Sequence, residues 1–301
     1  MQTASRDHIY LAHSRLNQPA ITVSPGEVFA VETELCSGPW LQSLTDQYDP
    51  ARTVGPNPAV VIAVSGARPG ERLAVHIHAI EPDELGYTGF VPPANPLSGQ
   101  ILDRTWGRTV RTLAIRDGSI LWNDRLSIPV KPMIGTLGTA PAGDPIPNST
   151  GGRHGGNMDV QEVCAGSTVY LPVAVPGALL HVGDVHAIQG DGEINMAGGV
   201  ECRARVRLSV DRLAPASMQA VRIENESSLC SVACEQAVEA SFHLAARDLL
   251  TWMMDDYGFT AEEAYLLLGQ VMEARCTQFV NPTRSYICKI DRRFLVRGSG
   301  G

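Results

Sequence analysis

Between residues 179 and 198 the chain carries Asp184, His186, Asp191 and Glu193, side chains that can bind a cation or move a proton. Asp184 and His186 are separated by one residue, as are Asp191 and Glu193. On an extended backbone such neighbours face the same way. The apolar run Val173 to Leu180 leads into the first pair, so a buried strand is expected to deliver Asp184 and His186 to one place. Gly183, Gly190 and Gly192 permit a sharp bend or a close approach, which would bring Glu193 back towards them. An isolated Asp-x-His pair is ordinarily surface polarity. Two features argue for more here. A buried, unpaired carboxylate is costly, which implies a counter-charge. A second cluster, Gly151-Gly152-Arg153-His154-Gly155-Gly156-Asn157-Met158-Asp159, also sets ligand types among glycines.

The bulk composition narrows the function class. With 301 residues and 44% hydrophobic content the chain can bury a sizeable core as one large or two medium units. The net charge of -8 and the absence of a basic patch argue against nucleic acid as a partner. Lys131 and Lys289 are the only lysines. No leader-like or membrane-length apolar run is visible, so a cytoplasmic protein with no membrane partner is expected. The seven cysteines form no CxxC pair and their number is odd, so reduced thiols are expected instead of a disulfide framework.

The elements that must position these residues read mainly as strands. Val28 to Leu35 alternates imperfectly, with Glu32 and Glu34 on one side. Ala59 to Val64 and Leu73 to Ile80 flank an Arg-Pro-Gly turn. His76 and His78 on the second of these invite a metal reading, and an outward polar face is preferred. Residues 81–100 are rich in Pro and Gly and are expected to form a long loop beside the pocket. Thr109 to Ile115 and Ser119 to Leu121 follow as strands. The run from Pro129 to Gly156 is read as a functional loop or a junction. Thr168 to Val175, Ala178 to Val182 and Glu201 to Val210 are strands, the last with an outward face of Arg203, Arg205 and Arg207. Phe242, Ala246, Leu249, Leu250 and Met253 recur at helical spacing. Thr260 and Glu263 then form a capping box for a second helix whose apolar face is Leu266, Leu267, Val271 and Ala274. Val280 to Ile290 is a last strand interrupted by Pro282. The expectation is an α+β, predominantly β fold of sandwich-like layers with a C-terminal helical pair. It divides into an N-terminal β-rich unit (1–128), a C-terminal unit with the metal site and helices (129–296), and a disordered tail (297–301). His8 and His13, near the start, are expected to be solvated.

Four runs carry a resemblance. They are Lys131 to Pro141 (KPMIGTLGTAP), Gly155 to Asp159 (GGNMD), Gly183 to Ala187 (GDVHA) and Gly190 to Glu193 (GDGE). Their order and spacing resemble the acetamidase/formamidase family, and the likeness runs from about residue 8 to 290. The resemblance implies hydrolysis of a short amide, formamide- or acetamide-like, by a homodimer with a divalent metal. Zinc is the expected metal, with calcium or manganese as alternatives. It carries over to His154, Asn157 and Asp159, to Asp184 and His186, and to Glu193. The chain departs from the family where an aspartate often follows the early Glu-Thr: Leu35 stands near that point, so either Glu32 or Glu34 substitutes or the pocket differs.

The mechanism expected on this basis has Asp184, His186 and either His154 or Asp159 holding the metal. Glu193 then acts as general base. Asn157 is either an oxyanion donor or a turn residue, and Asp191 caps a turn. Serine–lysine and cysteine–glutamate–lysine amidase chemistries lack their loop or lysine, and Cys164 reads as inert. A different class remains, a non-catalytic calcium-stabilised β-sandwich that binds a ligand, as does a cupin-like metal oxygenase.

Overall fold

The computed structural model describes residues 1–90, 97–102, 109–195 and 199–296. The tail expected at 297–301 lies outside them. The architecture is predominantly β with a helical pair near the C-terminus, as the alternation and the helical spacing predict. The strands that matter for the site are β1 (Phe29–Thr33), β2 (Ala59–Val64), β3 (Arg72–Phe90), β4 (Met133–Thr139), β5 (Gly155–Asn157), β6 (Leu180–Ile188), β7 (Val200–Leu213), β8 (Ser228–Glu235), β9 (Glu273–Gln278) and β10 (Arg284–Asp291). The two long helices are α1 (Val238–Tyr257) and α2 (Ala261–Val271).

β6 is the axis. It pairs antiparallel with β4, β2 and β7. β4 also pairs with β5, Thr136 facing Asn157. β7 pairs with β1 and with β3. Strands from residues 1–128 and 129–296 therefore hydrogen-bond to one another within one curled sheet. Val, Ile and Leu side chains from β2, β3, β6 and β7 fill the space it encloses.

Two stretches differ from their expected form. The run read as a loop at 129–156 contains β4, every residue of which is buried. A strand covered on both faces has no reason to alternate, so its glycines and apolar residues look like a loop. Residues 81–90, also read as loop, continue β3. Their backbone groups are satisfied on both edges: Tyr87 pairs with Glu201, and Leu85 to Phe90 pair with the strand Thr109–Arg116. Tertiary pairing thus overrides the local effect of Pro82 and Gly86.

The helical pair packs on the outer side of the sheet. Leu249, Trp252 and Met253 of α1 meet Leu229 and Ile290 of β8 and β10. The Thr260–Glu263 capping box opens α2. α2 stops at Val271, and Ala274, expected on its apolar face, instead pairs with Cys288 as part of β9. The arginine face of β7 pairs with acids, Arg203 with Glu34 and Arg205 with Glu32. His76 and His78 stand on an outward face, bonded to Thr168, Asp211 and Ser209. All seven cysteines are free thiols. Among the described residues no helix is long and apolar enough to cross a membrane.

Candidate metal centre

Asp184 and His186 lie on β6, and the sheet brings the second acidic group to them. Asp159 follows β5 directly, and β5 is held beside β6 by β4 between them. One ligand atom each from Asp159, Asp184 and His186 lies within 4.8 Å of the others, and all three residues are buried. His186 Nε2 is 3.4 Å from Asp184 Oδ1 and 3.9 Å from Asp159 Oδ1. It is also 3.3 Å from Glu201 Oε1. Glu201 faces His186 across the β6–β7 pair. Its parity with Arg203 predicts an outward position, but a bulge in β7 between Cys202 and Ala204 breaks that parity.

The centre is built at backbone cost. Asn57, Asp159, Asp184 and Glu193 adopt φ of 52°, 48°, 58° and 47°. For residues other than glycine such angles cost on the order of 1–3 kcal/mol each. Gly135 of β4 supplies the space between the two aspartates. A Cβ there would sit 2.7 Å from Asp184 Oδ2 and would also collide with Asp159 Oδ1.

The surrounding amides orient the ligating groups. His186 Nδ1 is 2.8 Å from Gln189 Oε1. Gln189 Nε2 donates to the carbonyls of Asp159 and Thr277. Those carbonyls can only accept, so Gln189 presents its oxygen to His186 and receives the Nδ1 proton. In the neutral ring Nε2 then carries a lone pair, facing the carboxylates. Asn57 Nδ2 donates to Asp184 Oδ2 and to Asn157 Oδ1, both at 2.8 Å. Asn281 Nδ2 donates to Asp159 Oδ2 at 2.6 Å. Asn57 and Asn281 also line a cavity of about 630 Å³, together with Cys36, Tyr48, Tyr87 and Phe90. The cluster therefore borders this cavity.

Electrostatics mark the cluster as under-compensated. Burial, then the charge of Asp184, raises the Asp159 carboxyl to about 6. Burial lifts Glu201 to about 7. Burial and the neighbouring Asp159 hold Glu193 well above the usual carboxylate range, and Asp159 and Glu193 are hydrogen-bonded. Burial opposes charge on His186, yet Glu201 and Asp184 outweigh it and keep the imidazole well above its ordinary value. Asp159 Oδ1 and Glu201 Oε2 are buried without a hydrogen-bond partner. Two carboxylates, an imidazole and an orphaned oxygen in a cradle that a Cβ would fill suit a divalent cation.

Of the residues singled out from sequence, Asp159, Asp184, His186 and Glu193 come together. His154 does not join the group. The turn before β5 places it against His13, with ring centroids 4.8 Å apart, and His13 stacks on His181 at 4.3 Å. His13, expected to be solvated, is fully buried there, while His8 is exposed. Asn157 Oδ1 accepts from Asn57 and from Thr136 Oγ1. Asp191 is held by Arg275 at the surface. Neither Glu32 nor Glu34 replaces the missing aspartate, because both are paired with arginines. Leu35 packs with Trp40, Leu41 and Tyr87. The next residue, Cys36, is the one that reaches the centre: its sulfur lies within 4.8 Å of ligand atoms of Asp184 and Glu201. Cys36, Asn57, Glu201 and Asn281 belong to no local motif: Glu201 arrives through the β6–β7 pairing, and the other three lie in turns and loops outside the strands.

Known proteins share this arrangement of strands. A profile described as the Acetamidase/Formamidase family matches residues 146–288. A solved structure from Thermoanaerobacter tengcongensis, described as a predicted acetamidase/formamidase, superposes with a TM-score of 0.89 at 32% identity, covering 98% of this chain and 96% of that one. The acetamidase of Mycolicibacterium smegmatis is 27% identical over 68% of this chain and 67% of its own length. A curated relative from Schizosaccharomyces pombe is 28% identical, and the match spans only 48% of its length.

Proposed function

The chain belongs to the acetamidase/formamidase family, and from that premise we propose that it hydrolyses a carboxylic amide to a carboxylate and ammonia at the Asp159–Asp184–His186 centre. The observation that carries the reading is the convergence of these three buried groups beside a cavity. Asp159, Asp184 and His186 would hold a divalent metal. A bound zinc supplies Lewis acidity and lowers the pKa of water to about 7. The imidazole donor favours zinc over calcium, which takes oxygen ligands.

The chain's own groups then have distinct tasks. Glu193, kept protonatable by burial and hydrogen-bonded to Asp159, takes the proton of the attacking water and returns it to the leaving nitrogen. Such a base contributes about 10²–10⁴ in rate. Asn57 and Asn281 fix the planes of Asp184 and Asp159. The acceptor bonds at Asn157 Oδ1 favour a positioning role over oxyanion donation. The cavity of about 630 Å³ falls in the range that holds drug-sized ligands, so amides larger than formamide and acetamide belong in the substrate series to be tested.

The test is ammonia release from formamide, acetamide and aromatic amides, with elemental analysis of the same sample. Activity should vanish with chelator and return with zinc, and Glu193→Gln should lower kcat by about 10²–10⁴. A folded, metal-loaded protein that releases no ammonia across the series would overturn the reading.

A further inference from the structure

We propose that Cys36, Asp184 and Glu201 form a second cation position, sharing Asp184 with the first, so that the site takes two zinc-class ions. Ligand atoms of these three residues lie within 4.8 Å of one another. Glu201 is 2% exposed and its Oε2 has no hydrogen-bond partner, while its Oε1 faces His186. One carboxylate oxygen thus faces the first position, and the carboxylate also takes the hydrogen bond of the protonated Cys36 thiol, a contact that a cation would replace. Among the described residues the ion pairs of Asp184 and Glu201 run only to His186. One dication leaves the surrounding buried carboxylates under-neutralised, and buried charge demands compensation.

The sulfur is held in place for this task. Trp40 Nε1 donates to Ser37 Oγ at 2.8 Å. Ser37 Oγ lies 2.6 Å from Tyr87 Oη, and Tyr87 Oη lies 2.9 Å from Cys36 Sγ. The indole can only donate, so a donor chain can run from it through serine and tyrosine to the sulfur. Sulfur is then an acceptor, as a coordinating thiolate requires. A thiolate with two carboxylates selects zinc or cadmium over calcium or magnesium. Cys36 lines the cavity, so this second position adjoins the substrate space as the first does.

The inference rests on the reading of Asp159, Asp184 and His186 as a metal centre, and the experiment separates the two. Chelator-stripped protein is dialysed against zinc, and separately against cobalt, then assayed for metal per chain. Two equivalents are expected. Cobalt should give a thiolate charge-transfer absorption, and zinc X-ray absorption should show one sulfur neighbour at about 2.3 Å on half of the metal. Cys36→Ser and Glu201→Gln should each reduce the count from two to one, and Cys36→Ser should remove the absorption, with unchanged circular dichroism. The X-ray absorption of the unaltered protein decides the matter even where a variant misfolds. One equivalent, abolished by Asp159→Asn and without sulfur, overturns the second position alone. No uptake at all overturns both positions.

Discussion

Gln189 dictates which nitrogen of His186 faces the carboxylates. Its amide nitrogen is committed to two backbone carbonyls, so its oxygen takes the Nδ1 proton at 2.8 Å. Partners of this kind are typically worth 10–100-fold in metal affinity. Gln189→Leu should therefore weaken zinc binding by about that factor, read by competition with a chromophoric chelator. An unchanged affinity in a folded variant would show that His186 needs no such partner.

Gly135 tests whether the space between the aspartates is functional. A Cβ at this position comes within 2.7 Å of Asp184 Oδ2 and 2.8 Å of the Asp184 carbonyl, and the latter cannot swing aside. Gly135→Ala should abolish metal uptake and destabilise the fold by about 1–3 kcal/mol, the usual range for overpacking. Gly143→Ala has open space around it and should lie within about 0.5 kcal/mol of the parent. Full metal occupancy in Gly135→Ala would refute the assignment of the cradle.

How much of this was legible follows from distance along the chain. Asp184-x-His186 declares itself because β6 presents residues two apart on one side, and the helices declare themselves by period. The capping box at Thr260 is a local hydrogen-bond pattern and reads directly. β4 does not, since it is buried on both faces and carries Gly135 and Gly138 where side chains would strike the centre or His13. Its glycines are a tertiary requirement that looks like loop composition. Glu201 and Cys36 are invisible for a related reason: a bulged strand pairing brings in Glu201 and a turn beyond β1 brings in Cys36, and neither has a signature in the sequence. His154 lies elsewhere. It sits close in sequence to Asn157 and Asp159, but the turn before β5 directs it to the opposite end of β4, among His13 and His181.

That histidine cluster has a pH signature. Burial lowers His154 and His181 to about 4 from 6.5, and burial, with help from His181 and His154, also holds His13 well below its ordinary value. Between pH 4 and 6.5 the unfolded chain therefore binds more protons at these sites than the folded one. Their stability contribution is intact above pH 6.5 and is lost as pH falls towards 4. The raised carboxyls Asp159 and Glu201 act in the opposite sense in metal-free protein, so the variant difference is the measurement. His181→Gln should flatten the fall in stability over that window by on the order of 3 kcal/mol, read by urea unfolding at several pH values. A variant with the same pH slope as its parent would exclude the cluster as the cause.

The last prediction concerns the anchoring of the helical pair. Arg222 is 1% exposed and grips Asp248 of α1 through Nε at 2.9 Å and Nη2 at 3.3 Å. Asp248 also accepts from the backbone of Gln219 and from Ser231 Oγ. Trp252 lies under the guanidinium at 5.1 Å. Removing one partner leaves the other charge buried and unpaired, which costs about 3–5 kcal/mol. Asp248→Ala should lose that much stability in chemical denaturation. The metal centre lies on β4 and β6, away from α1, so zinc stoichiometry should stay unchanged in the fraction that folds. A loss of metal together with stability would mean that the helical pair and the centre form one cooperative unit.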